Sequence, residues 1–253
     1  MNGIIIVNKP ADWTSFDVVA KIRALSKVKK VGHSGTLDPM ATGVLPVFLG
    51  RATKSIQYFM GGNKGYIAEM TLGIRTDTLD AAGKEMSNDK CRPRPEGLRP
   101  EGMSNDGSII KLFEKFTGEI EQTPPMYSAV KIKGQRLYKL ARKGITVKRE
   151  PRKITIHSIK LLNFEEGKHP KVTFEVYCSK GTYVRQLVSD IGDDLGCGAH
   201  LSKLMRIYAQ PFHITQAVNM ETIITLAKIG RLESIIVPVE EILSGQEASQ
   251  TGN

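Results

Sequence analysis

Residues 31–43 run Val31-Gly32-His33-Ser34-Gly35-Thr36-Leu37-Asp38-Pro39-Met40-Ala41-Thr42-Gly43. One carboxylate, Asp38, stands there in glycine- and proline-rich backbone between two apolar segments. Glycine reaches backbone conformations that other residues resist, and Pro39 fixes its own φ while restricting Asp38 before it. The carboxylate is therefore expected to be held in place. Asp-Pro beside glycine is also ordinary turn chemistry, so the local sequence leaves two readings, a structural turn and a catalytic loop.

Outward from this loop, residues 4–7 read as a buried strand and residues 15–25 as a helix. Thr14 and Asp17 sit at capping-box spacing, with Val18, Ile22 and Leu25 on one face. Residues 44–49 are apolar apart from Pro46, and a short helical stretch follows to about residue 59. Residues 66–72 alternate as a strand does, placing Tyr66, Ala68, Met70 and Leu72 on one face. Residues 111–116 and 135–142 suit helices. Residues 154–159 and 172–178 suit strands, with Val172, Phe174 and Val176 pointing one way. Residues 183–195 read as a helix with Val184, Leu187, Val188, Ile191 and Leu195 inward and Arg185 close to its N-terminal end. Helices and strands that mix without regular βαβ repeats predict an α+β sheet rather than a doubly wound one.

The chain of 253 residues is 40% hydrophobic, enough to bury a sizeable core without covalent staples. Its 36 Lys and Arg against 26 acidic residues give a formal charge of +10, which favours a polyanionic partner such as nucleic acid without choosing RNA over DNA. The excess is uneven. Residues 131–153 hold ten Lys or Arg and one acidic residue, Glu150, and residues 21–30 add five more basic groups. Cys91, Cys178 and Cys197 form neither an even framework nor a CxxC pair, so neither a disulfide scaffold nor a zinc site is implied and a reducing cytoplasm is expected. No segment approaches the roughly 18 apolar residues of a membrane span, and residues 3–7 are too short for a signal-peptide core. Residues 86–110 stand apart: Met86-Ser-Asn-Asp89 recurs as Met103-Ser-Asn-Asp106 around a Pro-, Gly- and charge-rich stretch. Too few apolar residues are present to order it, so it reads as a flexible surface insertion.

The loop from His33 to Gly43 resembles the signature of the TruB family, the tRNA pseudouridine-55 synthases. Five further blocks resemble that family in the same order. They are Asn8-Lys9-Pro10 with Thr14-Ser15, Lys64-Gly65-Tyr66-Ile67-Ala68, Pro124-Pro125-Met126-Tyr127-Ser128-Ala129, Ser179-Lys180-Gly181-Thr182-Tyr183-Val184-Arg185, and Gly198-Ala199-His200-Leu201. The resemblance implies a pseudouridine-synthase-type α+β fold: a mixed, largely antiparallel sheet flanked by helices and loops, in one catalytic domain over residues 1–243. It also implies that the basic residues 123–153 form a thumb-like RNA-binding insertion. Residues 244–253 are polar and read as a disordered tail. The C-terminal PUA domain that many members carry is not evident, so weaker tRNA binding is expected.

Converting uridine to pseudouridine breaks the glycosidic bond, turns the base and joins carbon 5 to the same ribose carbon, with no need for metal, cofactor or redox agent. A carboxylate suits the task, either attacking the anomeric carbon or removing the ribose 2′ proton. The resemblance assigns Asp38 this catalytic role and places Arg185 beside it, where a guanidinium would keep the carboxylate ionised. It makes Tyr66 the ring that stacks on the target base and a candidate to remove the carbon-5 proton. His33, Tyr183 and Leu201 match substrate-contact positions around an extruded nucleotide. Lys131, Lys133, Arg136, Arg142 and Lys143 are the candidate contacts to RNA phosphates. The implied partner is the T-arm of tRNA, without an obligatory protein partner. The competing readings are an RNA-binding or RNA-folding module that does not depend on catalysis, and a guide-RNA-dependent pseudouridine synthase.

Overall fold

The computed structural model describes residues 1–86, 106–132 and 134–250, with side chains of 106–108 and 245–250 outside the description. Most of the 86–110 insertion, Lys133 and residues 251–253 therefore lie outside the described residues. The strands are β1 (Gly3–Lys9), β2 (Val31–His33), β3 (Thr42–Leu49), β4 (Lys64–Leu72), β5 (Arg75–Thr76), β6 (Glu85–Met86), β7 (Gly118–Gln122), β8 (Lys131–Ile132), β9 (Gln135–Arg136), β10 (Arg152–Glu165), β11 (Lys171–Cys178), β12 (Ala199–Ala209), β13 (Phe212–His213) and β14 (Val218–Asn219). The helices are α1 (Ser15–Ser26), α2 (Ile56–Phe59), α3 (Asp106–Lys115), α4 (Leu137–Ala141), α5 (Val184–Asp194), α6 (Met220–Lys228) and α7 (Val239–Gln250). The fold is α+β, a mixed and largely antiparallel sheet flanked by helices. The chain divides into two compact units, Met1–Tyr66 with Leu204–Asn253, and Ile67–Lys203. The division falls within β4 and β12, so each unit holds part of both strands.

In the first unit the strand order is β14-β1-β3-β12-β4, with β2 also on β3 and β13 on β12. β1 runs antiparallel to β3 in unbroken register from Gly3↔Leu49 to Lys9↔Gly43. Both faces of this pair are covered, which is why β1 reads as a continuous apolar run rather than an alternation. Ile5, Val7, Leu45, Val47 and Leu49 pack with Val18 and Ile22 of α1 and Met220 and Ile223 of α6. Ile4, Ile6, Val44 and Phe48 pack on the other face with Phe59, Phe212 and Val239. α1 begins at the capping box that its sequence predicts: the Thr14 hydroxyl accepts from Asp17 N at 3.1 Å and Asp17 Oδ2 accepts from Thr14 N at 2.8 Å.

The second edge of β3 positions the site. β12 runs parallel to it at Met205↔Thr42 and Arg206↔Gly43, and β2 runs antiparallel to it from Val31↔Leu49 to His33↔Val47. Residues 44–46 lie between these two partners, where ladder carbonyls need other donors. Arg206 Nε supplies Val44 O at 2.7 Å, and Ser34 N supplies Pro46 O at 3.2 Å. Pro46 is tolerated in the middle of the sheet because this is where the ladder is interrupted.

In the second unit β7, β10, β11 and β4 are neighbours in that order, with β12 beyond β4. The alternation expected of β11 is present: Val172, Phe174, Val176 and Cys178 are buried. The Phe174 ring lies 5.3 Å from Phe113 of α3. Two sequence expectations need correction. Residues 135–136 form β9 of a short hairpin with β8, so the helix expected over 135–142 is confined to α4. α3 starts at Asp106, ahead of the apolar residues that suggested it. At the C-terminal end α7 runs to Gln250, and the rest of the polar tail lies outside the described residues. Among the described residues no helix is long and apolar enough to cross a membrane.

Candidate active site

The chain leaves β2 at His33 and enters β3 at Thr42, and residues 34–41 between them carry Asp38. This loop is fastened on both sides of the carboxylate. Before it, Ser15 Oγ on α1 accepts from Leu37 N at 2.9 Å and donates to Leu37 O at 3.2 Å. After it, Pro39 O accepts from Asp12 N at 2.9 Å and from Lys9 Nζ at 3.0 Å. Asp38 O itself accepts from Ala41 N at 3.1 Å, closing a turn. The carboxylate is half-buried. The turn of the sequence reading is thus present, and it is the means by which Asp38 is held.

Lys9 is buried at the end of β1, and its ammonium donates to Pro10 O at 2.8 Å and Trp13 O at 2.5 Å as well as to Pro39 O. Burial lowers its pKa to about 8, against the opposing pull of the Asp12, Asp38 and Asp17 carboxylates. A cation sensed by Asp38 therefore belongs to the same unit as the loop.

Arg206 is the second buried cation. It is 1% exposed, and besides Val44 O it donates from Nη2 to Gly35 O at 3.1 Å. Its guanidinium also hydrogen-bonds the phenol of Tyr66, a buried residue of β4. Gly35 and Gly43 are shaped for this neighbour. A Cβ on Gly35 (φ +89°) would lie 3.4 Å from Arg206 Nη1, and one on Gly43 (φ +100°) would lie 2.2 Å from Arg206 O. His33 hydrogen-bonds the Gly35 backbone, while its buried Nδ1 has no hydrogen-bond partner among the described residues. Burial, then the nearby Arg206 charge, holds its imidazole pKa below the ordinary value, so His33 is neutral.

In the second unit Arg185 is the second residue of α5 and is buried. Its Nη1 meets Asp80 Oδ2 at 3.3 Å and Thr78 O at 3.1 Å, and Nη2 donates to Tyr127 O at 3.0 Å. Asp80 is itself fixed, its Oδ1 accepting from Thr78 Oγ1 at 2.6 Å and Ala82 N at 3.1 Å. Leu201 is fully buried and bound to the same segment, through Leu201 N to Leu79 O at 3.0 Å and Ala81 N to Leu201 O at 2.9 Å. Leu79 lies at φ 65°, a strained value for a bulky residue. Tyr183, the N-cap of α5, is pinned by Gln122: its N donates to Gln122 Oε1 at 2.8 Å and its O accepts from Gln122 Nε2 at 3.2 Å.

Of the phosphate candidates, Lys131 and Arg136 stand exposed on the β8–β9 hairpin, and Arg142 and Lys143 stand exposed just after α4. Lys133 lies outside the described residues. Arg142 stacks 5.5 Å from the Tyr138 ring centroid, and Arg149 Nη1 ties this segment to Pro124 O at 3.1 Å.

Sequence reasoning gave no role to Lys9, Asp80, Gln122 or Arg206. A basic residue inside a strand bounded by Leu204 and Ile207 was the available signal for Arg206, and two glycines flanking one carboxylate were its echo in the loop.

Residues 23–184 match the family described as TruB family pseudouridylate synthase (N terminal domain), and residues 185–244 match the tRNA pseudouridylate synthase B C-terminal domain. A tRNA pseudouridine synthase B of Clostridium tetani is 46% identical over 247 residues, covering 98% of this chain and 80% of that protein. One of Geobacillus thermodenitrificans is 43% identical, covering 96% of this chain and 78% of that protein. Among solved structures, a chain in the crystal structure of a Cbf5-Nop10-Gar1 complex is 30% identical with a TM-score of 0.71, and the match covers 95% of this chain and 61% of that one.

Proposed function

The chain belongs to the TruB family of pseudouridylate synthases, and from that premise we propose that it isomerises uridine to pseudouridine in the T-loop of tRNA with Asp38 as the catalytic carboxylate. The observation that carries this reading is the fastening of the loop at Leu37 and Pro39, which leaves Asp38 as the half-buried residue between two anchored neighbours. In the nucleophilic route Asp38 bonds to the ribose C1′ as the base departs with the glycosidic electron pair. The base turns, and carbon 5 displaces the carboxylate. In the glycal route Asp38 instead takes the 2′ proton. Arg185 serves as the cation that keeps Asp38 ionised.

Tyr66 stacks on the base and takes the carbon-5 proton, and His33, Tyr183 and Leu201 line the extruded nucleotide. Extrusion costs a few kcal/mol, offset by stacking and pocket contacts. Lys131, Lys133, Arg136, Arg142 and Lys143 bind backbone phosphates, which positions the arm without reading sequence. The neutral state of His33 suits a group that donates or accepts hydrogen bonds rather than one that pairs with phosphate.

The test is to incubate the protein with unmodified tRNA transcript, with no guide RNA and no other protein, and to map pseudouridine. One pseudouridine in the T-loop is expected. Conversion only after addition of a guide RNA, or binding without any conversion, would replace this reading with the guided enzyme or the RNA-binding module.

A further inference from the structure

A guanidinium that is 1% exposed is costly unless its donors all find oxygen. Among the described residues Arg206 finds two main-chain carbonyls, Val44 O and Gly35 O, and the Tyr66 phenol. None of the three is a carboxylate. The fold has therefore buried a permanent cation whose acidic neighbour is a phenol, although a carboxylate would offset the charge far better at neutral pH. The cost is hard to explain as stability alone. The three acceptors also have a pattern: one on β3 at the end of the loop, one inside the loop that carries Asp38, and one on the ring assigned to the base.

We propose that Arg206 is the positioning residue of this active site: one planar group fixes the Asp38 loop and the hydroxyl end of Tyr66, and favours the phenolate that receives the carbon-5 proton. This rests on the reading of Tyr66 given above. Once C1′ is joined to carbon 5, that carbon still carries its hydrogen. The C5–H bond breaks, the proton passes to the Tyr66 oxygen, and the electron pair stays behind to restore the ring C5–C6 double bond. A neutral phenol has no capacity to accept this proton, whereas an oxygen that already accepts from a guanidinium is stabilised in its anionic form. Rigidity matters equally. The Arg206 main chain is itself held against β3, since a Cβ on Gly43 would lie 2.2 Å from the Arg206 carbonyl oxygen, so the guanidinium reaches its acceptors from a fixed base.

The experiment measures tritium release from tRNA labelled at carbon 5 of uridine, at saturating tRNA and across pH, for the wild type, Arg206→Gln, Arg206→Lys, Tyr66→Phe and Arg206→Gln with Tyr66→Phe. Arg206→Gln is expected to lower the maximal rate by about 100-fold with tRNA affinity little changed. Its remaining rate should climb more steeply with pH than the wild type's, as solvent hydroxide replaces the guanidinium in favouring the phenolate. Arg206→Lys should recover part of the loss, and Arg206→Gln should add little in the Tyr66→Phe background. Effects of Arg206→Gln and Tyr66→Phe that multiply, or an Arg206→Gln profile parallel to the wild type's, would overturn the proposal. If Arg206→Gln does not fold, Arg206→Lys carries the same comparison, since a lowered rate with a steeper pH rise is expected of it and a wild-type profile would refute it. A wild type that releases no tritium would instead refute the assigned activity itself.

Discussion

Arg206 Nη2 donates to the Gly35 carbonyl at 3.1 Å, joining β12 to the loop that carries Asp38. The contact depends on glycine twice. Gly35 has φ +89° and lies where a Cβ would be 3.4 Å from the guanidinium, while Gly43 has φ +100° and lies where a Cβ would be 2.2 Å from the Arg206 carbonyl.

These two glycines therefore differ in what they tolerate. Gly35→Ala is expected to cost about 1–2 kcal/mol through its left-handed backbone. Gly43→Ala should cost distinctly more, because the obstructing atom is backbone of a paired strand and cannot turn aside. Thermal unfolding of both variants checks the order, and a Gly43→Ala protein as stable as the wild type would show that the close approach is not obligatory.

Arg185 and Asp80 make a buried ion pair with side-chain exposures of 7% and 8%. Removing the carboxylate from beside a buried guanidinium typically costs about 3–5 kcal/mol, so Asp80→Ala should unfold at clearly lower urea concentration. Asp80→Asn, which keeps the acceptor facing Thr78 and Ala82, should lose less. Equal midpoints for Asp80→Ala and the wild type would mean that the pair does not support the fold.

The pH dependence of stability has a defined sign at both ends. His33 has a folded pKa lowered from 6.5, first by burial. The unfolded chain then binds this proton more readily, so the contribution is complete above 6.5 and is lost as pH falls toward the lower folded value. His33→Gln should flatten that acid limb. Lys9, lowered from 10.5 to about 8, gives a rise instead: its unfavourable contribution is present below 8 and is relieved as pH climbs toward 10.5. Lys9→Met should remove the alkaline rise, and an unchanged slope would contradict the assignment.

Much of this was legible in sequence where one physical signal dominated. The apolar run of β1, the capping box at Thr14 and Asp17, and the alternation of Val172, Phe174 and Val176 each correspond to the element found. β12 escaped because it mixes buried Leu204 and Ile207 with Lys203 and a buried Arg206, which breaks both periodicities. Asp80 escaped for a different reason. Its role comes from pairing with a residue 105 positions away, and local spacing holds no trace of that. The glycines of the Asp38 loop were legible as special, but their partner was not.

The exposed cations of the basic segment predict a salt effect. Lys131→Ala, Arg136→Ala and Lys143→Ala should each weaken tRNA binding similarly for any T-arm sequence and reduce the slope of log affinity against log salt by about one. A variant that changes sequence preference without changing the slope would indicate base contact in place of phosphate contact.

The central claim is that Asp38 carries the chemistry. Tritium release from tRNA labelled at carbon 5 of uridine, compared between the wild type and Asp38→Asn alongside tRNA affinity, tests it most directly. Release should vanish in Asp38→Asn while affinity is largely retained. Undiminished release from Asp38→Asn would contradict the account.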